Sequence, residues 1–129
     1  MRQILIRSVI LAIPLLLAGC SKSSSENTCH QISQEEAKEM MDSQEVLILD
    51  VREQDEYDSG HIPGAVLLPV GNIAEDTAAS VIPEKDTTVL VYCRSGNRSK
   101  KASGALAELG YTNIYEFGGI STWPYETEK

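Results

Sequence analysis

No apolar run in these 129 residues reaches the ~18 that a membrane-spanning helix needs; the N-terminal one falls short and contains Pro14. Basic residues are also scarce. Eleven Lys and Arg against 19 Asp and Glu give a formal net charge of −8. So acidic a chain is unsuited to nucleic acid or to electrostatic binding of anionic lipid, and no nucleic-acid partner is expected. Cysteine and histidine number only three and two. Cys29 and His30, taken with His61 and Cys93, lack the spacing of a zinc site, so neither a metal nor another cofactor is expected. There is no internal repeat, and the length accommodates one domain.

What is present at the N-terminus is a pattern of its own. Arg2 and Arg7 form a basic start, residues 9–17 are apolar, and Ala18 and Gly19 are small residues before Cys20. This is the layout of a secretory signal peptide. Leu17-Ala18-Gly19-Cys20 resembles the bacterial lipoprotein box, which implies acylation of Cys20 and cleavage just before it. Residues 1–19 are therefore expected to be removed, which takes away two arginines and no acid. The formal charge then moves from −8 to −10, with 9 basic residues against 19 acidic ones. Two or more acyl chains hold stably to a bilayer, each buried methylene contributing ~0.8 kcal/mol. Residues 20–29 comprise the lipidated cysteine and a polar, serine-rich tether with an r.m.s. reach of ~15 Å. The expected location is outside the cytoplasm, anchored to a bacterial cell membrane or outer membrane, with the domain facing the periplasm or exterior. Ser21 stands where inner-membrane retention is associated with aspartate.

Residues 30–127 read as a single globular unit. Ser33 and Glu36 have the spacing of a capping box, followed by Ala37, Met40 and Met41 on one helical face. Residues 46–49 and 88–92 are continuous apolar runs, as in strands buried on both faces. Residues 65–70 form a third run, weakened by Pro69. Ala102, Ala105, Leu106 and Leu109 recur at helical spacing and end at Gly110, where a C-terminal cap is expected. Residues 113–117 suggest a last strand, and Gly118-Gly119 a turn. Strands alternating with helices and apolar throughout imply an α/β fold with a central parallel sheet and helices on both faces.

The segment Tyr92-Cys93-Arg94-Ser95-Gly96-Asn97-Arg98-Ser99 lies between the clearest strand and the clearest helix. Ligands bind at such strand ends in α/β sheets. Loop N–H groups, a helix N-terminus and two arginines all lower a thiol pKa, and the thiolate is the reactive form. Elsewhere in the chain stand Asp50-Val51-Arg52-Glu53, then Glu56-Tyr57, then Gly60-His61-Ile62-Pro63-Gly64-Ala65. Gly110-Tyr111, Gly118-Gly119-Ile120 and Trp123 follow near the C-terminus. In this order and spacing, across residues 32–125, they resemble the rhodanese family.

The resemblance implies a sulfurtransferase. Cys93 would take sulfur as a persulfide from a small anionic donor such as thiosulfate and pass it to cyanide or a thiol acceptor, which could belong to a protein. Arg94, Ser95, Gly96, Asn97 and Arg98 would bind the donor, with Arg98 also closing the loop. Asp50, Arg52 and His61 would support the site structurally, and the chain would act as a monomer. Other readings share parts of the pattern. A phosphatase of the same fold has five residues between cysteine and arginine, whereas four separate Cys93 from Arg98. A non-catalytic binding module can lose the cysteine, which is retained here. A persulfide carrier or thiol redox protein serving a protein partner keeps the same motif and stays open. Cys29, the second thiol of the mature chain, is either a resolving thiol or incidental.

Overall fold

The computed structural model describes residues 28–129; the expected signal peptide, Cys20 and most of the tether lie outside them. Five parallel strands, β1 (Cys29–Gln31), β2 (Leu47–Asp50), β3 (Val66–Leu67), β4 (Val89–Cys93) and β5 (Ile114–Gly119), form one sheet in the order β1-β5-β4-β2-β3. The helices are α1 (Gln34–Ser43), α2 (Gln54–Ser59), α3 (Glu75–Val81) and α4 (Asn97–Glu108).

The central strand explains the layering. All five residues of β4 are buried, and alternation sends them to opposite faces. Val89, Val91 and Cys93 pack with Ala78 of α3, with Ile82 at its end, and with Ala102 and Leu106 of α4. Leu90 and Tyr92 pack with Ala37, Met40 and Met41 of α1 and with Tyr57 of α2. The expected parallel sheet with helices on both faces is what the chain forms.

Local chemistry sets the element ends. The Ser33 hydroxyl accepts from Glu36 N–H at 3.0 Å and so caps α1. The run 65–70 yields only the two-residue β3. Pro69 has no N–H for the ladder, and the chain turns into a short 3₁₀ segment at Val70–Asn72. The short helices α2 and α3 have too few apolar positions to show helical periodicity. Cys29 was expected at the end of the tether but lies in β1, paired with Ile114.

The connection after β2 runs through α2 on one face, whereas that after β4 runs into α4 on the other. Crevices at such divergences are where α/β sheets bind ligands. A buried polar network spans this one. Both carboxylate oxygens of Asp50 bind Arg52, the shortest contact being Nη2 to Oδ2 at 2.7 Å. Tyr92 Oη donates to Asp50 Oδ2 at 2.7 Å and accepts from Ile62 N–H at 3.1 Å, while Arg52 Nη2 reaches Gly60 O at 2.7 Å. Burial, then the Asp50 carboxylate, push the Tyr92 phenol far up, so it remains a donor.

Replacing Tyr92 with Phe strands Ile62 N–H and removes one donor from Asp50. The expected loss is about 1–3 kcal/mol, measured as a lower urea midpoint at unchanged m.

Candidate active site

Cys93 ends β4 with 1 % of its surface exposed. The chain then turns through Arg94, Ser95 and Gly96 into α4, and the N–H groups of Ser95, Gly96 and Ser99 at this helix start face the sulfur. Gly96 permits the turn with φ of 108°. Its N–H donates to Sγ at 3.0 Å, and Ser99 Oγ lies 3.5 Å from Sγ. Burial pushes the Cys93 thiol up, but the Ser99 hydroxyl and the N–H groups of Ser99, Gly96 and Ser95 outweigh it. They leave the thiol below its ordinary value.

The loop is seated on β5. Val91 is level with Glu116, but Cys93 is level with Gly119, so β5 carries an extra residue, a bulge. The bulge brings Gly119 so close beneath the loop that a Cβ there would collide with the Arg94 backbone. Arg94 O also accepts from Ser121 N–H at 3.1 Å. Gly119 thus acts as more than a turn residue: the loop rests on its bare backbone.

The sequence-selected residues separate into three groups. Arg94 and Ser95 are exposed on the loop, and Asn97 is exposed at the first position of α4. Arg98 is half-buried and turned to α2, where it forms a two-pronged pair with Glu56 at 2.6 and 3.0 Å. That pairing, more than any free charge, describes the guanidinium, and it holds the Glu56 carboxyl down at about 2. Asp50 and Arg52 lie behind the loop in the buried network. His61 is buried with its ring stacked on Tyr57 at 3.8 Å, Nδ1 2.9 Å from Tyr57 O and Nε2 3.4 Å from Glu128 Oε1. None of its contacts involves Cys93.

Cys29 is level with Ile114, and Ile114 with Val89. Cys93 is therefore two strands away and four residues further on, roughly 16 Å at ~4.8 Å per strand and ~3.3 Å per residue. A disulfide tolerates about 7 Å between Cα atoms. The two thiols do not pair within one folded chain, which removes the resolving role inside it. Both are free. Among the described residues there is also no cluster fit for a metal ion.

Sequence reasoning assigned no role to Ser99, Glu56 or Glu116. Ser99 touches the sulfur. Glu116, 5 % exposed, accepts from Ser99 Oγ at 2.7 Å and from Gly118 N–H at 2.9 Å. Its one signal was an acid placed inside an otherwise apolar strand.

Residues 33–125 match the family of rhodanese-like domains. The thiosulfate sulfurtransferase PspE of Escherichia coli is 39 % identical over 72 residues, 56 % of this chain and 68 % of the relative. The thiosulfate sulfurtransferase GlpE of Coxiella burnetii is 36 % identical over 94 residues, 72 % of this chain and 85 % of the relative. Among solved structures, a rhodanese with anions from E. coli superposes with a TM-score of 0.61 at 32 % identity, over 66 % of this chain and 99 % of that one.

The Glu56–Arg98 pair has a pH signature. Glu56 has a depressed folded value, so its contribution is full above the ordinary 4.5 and is lost as pH falls toward about 2. Urea titrations should find Glu56→Gln less stable than the native chain at pH 7, with the gap closing between these limits.

Proposed function

Because the chain belongs to the rhodanese family, we propose that it moves sulfane sulfur from an anionic donor such as thiosulfate to a nucleophilic acceptor through a persulfide on Cys93. The observation that carries this reading is the arrangement at Sγ, a buried thiol facing the N–H groups of its own loop at the start of α4. In the first half-reaction, Cys93 Sγ as thiolate attacks the outer sulfur of thiosulfate. The bond from that sulfur to sulfite breaks, and the electron pair leaves with sulfite. In the second, cyanide or a thiolate attacks the outer sulfur, and Cys93 leaves as thiolate. Loop N–H groups hold the negative charge in every state, which is preorganised electrostatic stabilisation.

The loop's cations act unequally. Arg98 is neutralised by Glu56 and serves chiefly to tie α4 to α2, leaving Arg94 as the exposed charge that meets the incoming donor. A short loop with its closing arginine already paired favours a sulfur atom over a tetrahedral phosphate. The acceptor is cyanide, a small thiol or a thiol carried by a protein. The proposal extends to location: the pattern around Cys20 supports an exported chain held to a bacterial membrane by acyl groups on that residue.

Treating the reduced protein with thiosulfate should add ~32 Da per chain by intact mass, and cyanide should discharge it. Cys93→Ser should abolish the gain and Cys29→Ser should not. Absence of any gain, or a gain that follows Cys29, would overturn the assignment. For the anchor, growth with an alkyne-labelled palmitate should mark the native chain and not Cys20→Ser.

A further inference from the structure

The Ser99 hydroxyl has one proton and four acceptors within reach. Glu116 Oε1 lies at 2.7 Å, Gly96 O at 3.0 Å, Gly118 O at 3.4 Å and Cys93 Sγ at 3.5 Å. The carboxylate is closest. Its other partners, Gly118 N–H at 2.9 Å and the Gln31 amide at 3.3 Å, are also donors. Three donors and no acceptor is the pattern of an ionised carboxylate. Ion pairs among the described residues involve Lys38, Arg52, His61, Lys85 and Arg98, each with another acid. A buried negative charge with no paired cation thus stands one hydroxyl away from the reactive sulfur.

The ionisable surroundings are few. Cys29 and His30 of β1 and Lys100 and Glu108 of α4 line a cleft of about 330 Å³ that Glu116 borders, and Lys100 is the exposed cation among them. Around Cys93 stand exposed Arg94 and the Arg98–Glu56 pair, with Arg52 also near Glu56.

We propose that Glu116 is a positioning residue that competes with Cys93 for the Ser99 proton, and so biases the site toward states in which the cysteine's own sulfur is uncharged. This rests on the persulfide reading of Cys93. In the thiol and in the persulfide, Ser99 gives its proton to Glu116. In the bare thiolate, Ser99 turns to Sγ, and Glu116 is left one donor short and facing a second negative charge. The loading step is Cys93–S⁻ plus S–SO₃²⁻ giving Cys93–S–S⁻ plus SO₃²⁻, with total charge conserved. It moves the enzyme's charge ~2 Å outward, the length of one S–S bond, away from Glu116. The buried acid therefore favours the loaded enzyme over the empty thiolate. It makes the domain a better holder of sulfur and Cys93 a poorer leaving group.

The test uses Glu116→Gln and Ser99→Ala in the purified protein, with Cys29→Ser to silence the second thiol. The first readout is the pH midpoint for iodoacetamide alkylation of Cys93, which needs no sulfur donor and so stands even if the sulfurtransferase reading fails. Glu116→Gln should lower the midpoint by about one pH unit, and Ser99→Ala should raise it. The second readout is the thiosulfate-to-sulfite ratio that loads half the protein by intact mass. It should rise about ten-fold in Glu116→Gln and fall in Ser99→Ala. In the Ser99→Ala background, the Glu116 change should shift the midpoint less than it does alone. An unchanged or raised midpoint in Glu116→Gln overturns the proposal. Equal shifts with and without Ser99 overturn the route through the hydroxyl. Should Glu116→Gln fail to fold, Ser99→Ala alone decides, since a midpoint that does not rise means that no contested proton exists.

Discussion

The carboxylate of Asp50 is the point on which the rest of the site depends. It is wholly buried at the end of β2, and its two oxygens gather the Arg52 backbone and guanidinium and the Tyr92 phenol. Through Arg52 it reaches the Gly60 carbonyl, and through Tyr92 the Ile62 amide. One side chain therefore joins β2, β4 and the turn at residues 60–62. Burying such a charge is tolerable only because every lone pair is used; removal of one partner from a buried pair typically costs 3–5 kcal/mol. The strand that delivers Cys93 is held in register from behind by this network.

The same economy governs charge around the site. Arg52 and Arg98 each carry a full positive charge, and each is matched by a carboxylate within hydrogen-bonding distance. What faces Cys93 is mainly backbone N–H, supplied by a loop and a helix end. Dipoles fixed in place do not move away when the sulfur's charge changes, and they hold no counter-ion that a donor must displace. The price is geometric strictness. The N–H groups converge only if the chain passes directly over Gly119, where any side chain would meet the Arg94 backbone.

Much of this was legible in the residues. β4 and α4 are long and regular enough that an apolar run and a three-and-four spacing announce them. Cys93, lying between them, falls at a strand end on the sequence pattern alone. Elements with little pattern were hidden. β1 is three residues, two of them exposed, and exists because β5 offers it an edge. α2 and α3 are held by tertiary contacts such as Tyr57 Oη to Ala65 O at 2.7 Å, which periodicity does not report. Site residues divide likewise. The cysteine, glycine and arginines are conspicuous by type, whereas the Ser99–Glu116 and Glu56–Arg98 contacts join residues 17 and 42 positions apart, which no local pattern reports.

The pairing of β1 with β5 also has a consequence in time. It joins Cys29 to Ile114, so the first strand waits for the last. At about 5–20 residues per second, a ribosome needs roughly 4–17 s to travel between them. During that interval the sheet has an unfilled edge, and the seat for the cysteine loop, at residue 119, has not been made. Until residue 119 has been made, the growing chain therefore has no working centre, however early its first strands are synthesised.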